Sequence, residues 1–251
     1  MPETAISSIS VKTMVEVYAL NIRESVEKKI IHKLIKFISS DKAKRASNFR
    51  SREDSYRTVL GELLARYVIC YESACLNKDI KMQLSVGKKP QLLYPNGLFF
   101  NISHSGDWVI CGISNCPIGV DIEHIKKNKC NLNVIERFFS SEEKNYLLND
   151  GKDINTVTKF YRLWTLKESY VKADGRGLAL PLKSFSIIPD VKKISVVTKN
   201  ALRQCEFRSF QLDDEYVGAI CSVDGNIKDI IKIIDVNTII NFLLVSDNEK
   251  G

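Results

Sequence analysis

The sequence predicts an α+β fold, and three observations carry that prediction. Two long stretches, 52–72 and 153–173, place apolar residues at helical spacing. Short apolar or alternating runs at 99–103, 108–113 and 118–123, and again between 185 and 223, read as strands. Within each half of the chain the helices precede the strands, which favours a helix layer on antiparallel sheet over a doubly wound parallel sheet. The 251 residues are 44% hydrophobic and 27% charged. That balance excludes a disordered chain, a collagen-like repeat and a small disulfide scaffold.

The elements follow in order. Residues 15–20 alternate enough to open with a strand. Residues 24–38 put Val26, Ile30, Ile31, Leu34, Ile35 and Ile38 on one helical stripe. Ser39-Ser40-Asp41 is a helix-start signal for the basic segment behind it. The strongest helix spans 52–72, with Tyr56, Val59, Leu60, Leu63, Leu64, Tyr67 and Tyr71 at core spacing. A turn at Gly87-Lys88-Lys89-Pro90 precedes the strands 99–103, 108–113 and 118–123. Helices are expected at 140–149 and 153–173, then strands at 185–188, 194–198, 204–211 and 215–223, then a helix at 236–245. No linker rich in Pro, Gly or Ser divides the chain.

The first residues, Met1-Pro2-Glu3-Thr4, lack a basic flank and an apolar block, so no signal peptide is expected. The run 239–245 is broken by Asn241 and is far shorter than the ~20 residues that span a bilayer. Seven cysteines form no Cys-x-x-Cys, and three histidines extend no pair into a zinc site. Reduced packing thiols and a cytoplasmic location are expected.

The formal charge of +7 is concentrated. Residues 28–57 hold ten Lys or Arg against three acids, which accounts for the whole excess. Such a segment is either a solvated helix face or the footprint of a polyanionic ligand. Nucleic acid is disfavoured, because no helix-turn-helix or ribonucleoprotein motif is evident.

Three constellations carry chemistry. Phe100-Asn101-Ile102-Ser103-His104-Ser105-Gly106 is either a tight hairpin or a phosphate-binding turn offering hydroxyls, an imidazole and backbone N–H groups. In Ile118-Gly119-Val120-Asp121-Ile122-Glu123, strand alternation sends both carboxylates to one face, about 7 Å apart along the backbone. They make either a wet acidic edge or two ligands for a hard cation. In Trp164-Thr165-Leu166-Lys167-Glu168-Ser169-Tyr170-Val171-Lys172, the residues Trp164, Glu168 and Lys172 share a helix face. Glu168 and Lys172 could be a surface ion pair, yet Trp164 implies burial, where an unpaired charge is costly. Together, Asp121, Glu123 and Glu168 would supply the carboxylates of a magnesium site with positions open to a pyrophosphate.

At this point the chain resembles the 4′-phosphopantetheinyl transferases of the surfactin-synthetase-activating, Sfp-like type. The resemblance rests on a set of motifs in order. The basic segment leads into Glu53-Asp54-Ser55-Tyr56-Arg57-Thr58-Val59-Leu60-Gly61-Glu62, followed by Gly87 to Pro90, Phe100 to Gly106 and Ile118 to Glu123. Arg137-Phe138-Phe139-Ser140, the segment Trp164 to Lys172 and Gly175-Arg176-Gly177-Leu178 complete it. Lys88 and Lys89 both precede Pro90, where the family shows a single lysine. The resemblance covers about 15 to about 223.

It implies two similar α+β halves related by a pseudo-twofold axis, 1–117 and 118–251, with coenzyme A in the cleft between them. It implies magnesium on Asp121, Glu123 and Glu168, with Lys172 neutralising the pyrophosphate and Lys167 as a supporting cation. Lys42, Arg45, Arg57, Thr58, Lys89, Ser103 and His104 would hold the adenine-nucleotide end. The implied reaction moves phosphopantetheine to a serine of an acyl- or peptidyl-carrier protein and releases 3′,5′-ADP. Glu143 matches a family glutamate proposed as general base, although Ser140-x-x-Glu143 is equally a capping box. A monomer is expected, with neither nucleic acid nor membrane as partner. The alternative is a magnesium-dependent nucleotide pyrophosphate hydrolase, which the same carboxylates would serve; a metal-indifferent anion-binding module is a further rival.

Overall fold

Apolar periodicity in two long helices and alternation in the strands place three cores along the chain. In a computed structural model, residues 15–23, 34–85, 89–126, 132–148, 154–190, 193–223, 227–228 and 231–248 are described. The first sheet runs β11-β1-β5-β4. Here β1 is Val15–Asn21, β4 is Phe99–Ser105, β5 is Trp108–Ser114 and β11 is Ile231–Ile233. Strands β4, β5 and β1 are antiparallel neighbours, and β11 joins β1 in parallel. The second sheet runs β6-β10-β9, all antiparallel, with β6 at Ile118–His124, β9 at Cys205–Asp213 and β10 at Tyr216–Val223. Two hairpins stand apart: β2 (Lys81–Leu84) with β3 (Pro90–Tyr94), and β7 (Phe185–Pro189) with β8 (Ile194–Thr198).

Each half sets one long helix on its sheet, which makes the halves a pseudo-twofold pair. Helix α1, Ser40–Ser47, leads into α2, Arg52–Ser73. The Ser51 hydroxyl caps α2 by accepting from the Asp54 N–H at 3.3 Å, and the helix ends at Ala74 in the left-handed region (φ 55°). Every residue from Val59 to Cys70 is buried, including a Glu62–Arg66 ion pair of 2.9 Å. Glu62 also accepts from the Ser39 N–H at 2.7 Å, which ties the start of α1 to the core. In the second half, α3 (Leu132–Phe138), α4 (Ser141–Leu148) and α5 (Ile154–Asp174) precede the strands. Helix α6, Val236–Asn248, closes the chain.

One core lies around α2 and the first sheet, and a second around α5 and the second sheet. A third joins the halves, with Val15, Val17, Trp108, Ile110, Ile118, Val120, Ile122 and Ile220 meeting there.

The two long helices and the three strands of the middle region lie within a residue or two of their expected bounds. Four elements were not expected. The β2–β3 hairpin is short and largely exposed, α3 is short, and β11 has only three residues. The helix expected at 24–38 falls mostly outside the described residues, and its end, Ile35–Phe37, is a 3-10 turn. The expected division at 117/118 falls between the sheets, but the last segment does not stay with the second half. Strand β11 pairs with β1, and α6 packs on α2 through the Tyr67–Phe242 ring contact. The first half is therefore finished by the end of the chain.

Candidate active site

The close approach of β6 to α5 builds the centre of the site. A Cβ at Gly119 would stand 2.0 Å from the Ser169 carbonyl oxygen and 2.4 Å from the Ala173 nitrogen. Only glycine permits that spacing. Two and four residues further along β6, Asp121 and Glu123 then meet the side chains of Glu168 and Lys172.

Asp121 is buried. Its Oδ1 accepts from Lys172 Nζ at 2.6 Å and from the Ser103 hydroxyl at 2.9 Å. Lys172 Nζ also donates to Ser103 Oγ at 2.9 Å and to the Val120 carbonyl at 3.1 Å. The other oxygen, Asp121 Oδ2, is buried without a hydrogen-bond partner. Burial and the neighbouring Asp121 push both the Glu123 and the Glu168 carboxyl above the usual range. The site thus holds more negative charge than its protein groups neutralise.

Among the described residues, no three acidic, histidine or cysteine side chains stand close enough together to hold a metal ion. An orphaned buried carboxylate oxygen beside two strained carboxyls nevertheless fits a hard divalent cation. Magnesium in particular takes few protein carboxylates and completes its shell with water and substrate phosphate.

Beside this cluster lies a cavity of about 180 Å³ lined by Lys42, Arg45, Arg57, Thr58 and His104, among others. Arg57 is aimed by two bonds, Nη1 to the Gly106 carbonyl at 2.8 Å and Nη2 to Asp54 Oδ1 at 2.6 Å. Burial, then the Arg57, Lys172 and Lys42 charges, hold His104 below the usual imidazole range. Burial also lowers Lys42. A larger cavity of about 410 Å³ meets the first at Pro90 and Asn101. Its charged end carries Lys89, Glu168 and Lys172, and its apolar end Phe138, Val171, Leu180 and Leu182. Lys89 Nζ donates to the carbonyls of Ile118 at 2.9 Å and Lys172 at 2.5 Å, and burial lowers it to about 8. Lys88 lies outside the described residues.

Two expected site residues do not reach the cleft. Lys167 and Glu143 are both fully buried and paired, with Nζ 2.7 Å from each carboxylate oxygen. Glu143 further accepts from the N–H groups of Ser140 at 2.8 Å and Ile187 at 2.7 Å, while Lys167 donates to the Phe185 carbonyl at 3.1 Å. The Glu143 N–H in turn donates to Ser140 Oγ at 3.2 Å, closing the capping box. Glu143, expected as general base, and Lys167, expected as a supporting cation, are thus partners of each other in the interior. The pair locks α4, α5 and β7 together. Ser103 departs from expectation more mildly, because its hydroxyl is held by Asp121 and Lys172 at the carboxylate cluster.

Fold and site together define a two-halved α+β protein whose cleft offers cations, carboxylates and an apolar wall to a phosphorylated ligand. Comparison with known proteins specifies the class. Residues 117–221 match the model of the 4′-phosphopantetheinyl transferase superfamily, and residues 25–115 match that of the 4′-phosphopantetheinyl transferase N-terminal region. The chain is 35% identical over 208 residues to the 4′-phosphopantetheinyl transferase Sfp of Bacillus subtilis, covering 82% of this chain and 92% of that one. It is 29% identical over 234 residues to the 4′-phosphopantetheinyl transferase gsp of Aneurinibacillus migulanus, covering 93% and 97%. Among solved structures, a holo-(acyl-carrier-protein) synthase from Bacillus anthracis in complex with CoA (3′,5′-ADP) aligns at 20% identity and a TM-score of 0.38, over 42% of this chain and 93% of that one. The chain belongs to the 4′-phosphopantetheinyl transferase superfamily and is an enzyme of that class.

Proposed function

We propose that this enzyme takes coenzyme A as donor and moves its 4′-phosphopantetheine group to a serine hydroxyl of an acyl- or peptidyl-carrier protein, releasing 3′,5′-ADP. The observation that carries this reading is the adjacency of two sites. A cavity lined by Lys42, Arg45, Arg57, Thr58 and His104 meets, at Pro90 and Asn101, one lined by Glu168 and Lys172, and Lys172 is bonded to Asp121. The first suits the phosphorylated ribose end of coenzyme A, and the second suits its pyrophosphate.

Asp121, Glu123 and Glu168 would hold a magnesium ion, which when bound neutralises charge on the pyrophosphate. Lys172, bonded to Asp121 at 2.6 Å, stands at the charged end of the cavity, where its ammonium would stabilise the charge of the departing 3′,5′-ADP. Lys89 tethers β6 and α5 through their carbonyls and adds a second cation to the cavity. The serine hydroxyl attacks the phosphorus bearing the pantetheine. Phosphoryl transfer of this kind needs alignment and charge neutralisation rather than a covalent enzyme intermediate. With Glu143 withdrawn into its buried pair, we assign the serine proton to a carboxylate oxygen of Glu168, the carboxylate that lines the cavity. One chain carries every residue invoked, which supports a monomer as the working form. Among the described residues the six cysteines form no disulfide, which supports a cytoplasmic setting. Among the described residues no helix is long and apolar enough to cross a membrane.

The test is intact-mass spectrometry of an apo carrier protein incubated with the enzyme, coenzyme A and magnesium, with and without chelator. The expected result is a chelator-sensitive gain of ~340 Da, one phosphopantetheine in the transfer described. Breakdown of coenzyme A in solution, with no gain on carriers from several synthase types, would overturn the reading in favour of a pyrophosphate hydrolase.

A further inference from the structure

Among the described residues the two sheets share no backbone ladder: β4 is the outer strand of one and β6 the outer strand of the other. Three side chains at alternate positions of β4 join them instead, because residues two apart on a strand share a face. Asn101 Oδ1 accepts from the Val120 N–H at 2.9 Å. Ser103 Oγ donates to Asp121 Oδ1 at 2.9 Å. Ser105 Oγ donates to Glu123 Oε2 at 2.9 Å and accepts from the His124 N–H at 3.1 Å. The bond from His124 matters to the geometry. A serine hydroxyl has one proton, and an N–H donor occupying one of its lone pairs turns that proton toward the carboxylate. The segment read in the sequence as either a tight hairpin or a phosphate-binding turn is therefore also a seam. Its serines match the carboxylates of β6 one to one.

We infer that Ser105 is a positioning residue for Glu123, and that the seam Asn101–Ser103–Ser105 makes the first half of the chain responsible for the set of the carboxylates on the second. The inference rests on the proposed role of Glu123 as a cation ligand. Holding one oxygen of a ligating carboxylate fixes the plane of the group, and loss of such an outer partner weakens metal affinity by about tenfold or more. Ser105 touches neither coenzyme nor cation in this account; it acts through Glu123.

The test uses the full chain and Mn2+ alone, titrated by electron paramagnetic resonance without coenzyme A, alongside thermal melting in chelator. Wild-type protein is expected to bind Mn2+. Ser105→Ala is expected to bind about tenfold more weakly with its melting temperature in chelator preserved, and Ser105→Thr to recover wild-type affinity. Wild-type affinity in Ser105→Ala would overturn the inference. A loss that Thr does not rescue, together with a lower melting temperature in chelator, would overturn it too by reducing the seam to a structural contact. If Ser105→Ala does not fold, Ser105→Cys is the substitute, since a thiol of similar shape is a poorer donor; unchanged Mn2+ affinity in it would count against the inference equally. A wild-type protein that binds no Mn2+ would fell the cation-site reading itself, a result distinct from all of these.

Discussion

At the scale of single residues, the site is an arrangement of groups kept in costly states until a ligand arrives. Glu168 illustrates the cost. Its carboxyl is raised by burial first and by Asp121 second. A carboxyl whose folded pKa lies above its unfolded value makes the folded state bind more protons between the two values. Stability therefore falls as pH rises through that window and stays reduced at neutral pH. Glu168→Gln removes the penalty. In chelator at neutral pH its melting temperature should rise by about 2–4 °C, which corresponds to about 1 kcal/mol in a chain of this size, and the gain should vanish at acid pH. The same substitution should lower kcat with magnesium by about 10²–10³-fold. Differential scanning fluorimetry across pH and a turnover assay read the two effects, and near-wild-type turnover would remove Glu168 from the mechanism.

His104 works in the opposite sense. Burial and three nearby cations keep its imidazole neutral at neutral pH in the free protein. A bound phosphate favours the imidazolium, so binding takes up a proton and affinity falls as pH rises between the free and bound pKa values. Calorimetry of His104→Ala should show a loss of about tenfold or more for coenzyme A and a smaller one for dephospho-coenzyme A, as hydrogen bonds to charged groups contribute about 1.5–3 kcal/mol. Equal losses would place His104 away from the 3′-phosphate. The residue types were legible in sequence because each motif was short and its spacing matched one element. The fate of Glu143 was not, since Ser140-x-x-Glu143 describes a helix cap and a catalytic acid equally well. Only the position of Lys167 across the fold separates them.

At the scale of elements, the register of β6 against α5 decides the chemistry. Gly119 meets backbone atoms of α5, which have no side-chain freedom with which to yield. Gly119→Ala should cost about 1–3 kcal/mol by overpacking, read as a lower urea midpoint. Turnover of the folded fraction should fall as well, because Asp121 and Glu123 move with the strand. A variant destabilised but fully active would show that the strand relaxes without moving its carboxylates. Helix α5 also contributes Lys167 from the side turned away from the cleft. Lys167→Met leaves the Glu143 carboxylate buried and unpaired, at a cost of about 3–5 kcal/mol. Below the melting range its kcat per folded molecule should stay within a few-fold of wild type, and a loss matching that of Glu168→Gln would restore a catalytic role. Long amphipathic helices and clean strands were readable from periodicity. The β2–β3 hairpin and β11 were not, because strands of three to five residues are too short for a period to be read from them.

At the scale of the whole molecule, the halves are not independent. The third core buries Trp108 and Ile110 of one sheet against Ile118, Val120 and Ile122 of the other. The first sheet borrows its outer strand β11 from the end of the chain, and α2 borrows its cover from α6. A fragment of residues 1–117 lacks both. It should show helical circular dichroism but no near-ultraviolet signal, and should bind a hydrophobic dye. A cooperative melt of that fragment alone would contradict this dependence.

The sequence by itself determined the element types, the concentration of charge in residues 28–57 and the two carboxylate motifs, because these depend on spacing within a single segment. The tertiary structure decided which partners those motifs meet. Glu143 was turned inward by Lys167, Asp121 was joined to Ser103 and Lys172, and Glu123 was hung on Ser105. Such pairings join residues 18 to 69 positions apart in the chain. Local spacing carries no record of them, because it is the packing of helices and sheets on one another that sets which side chains come within hydrogen-bonding reach.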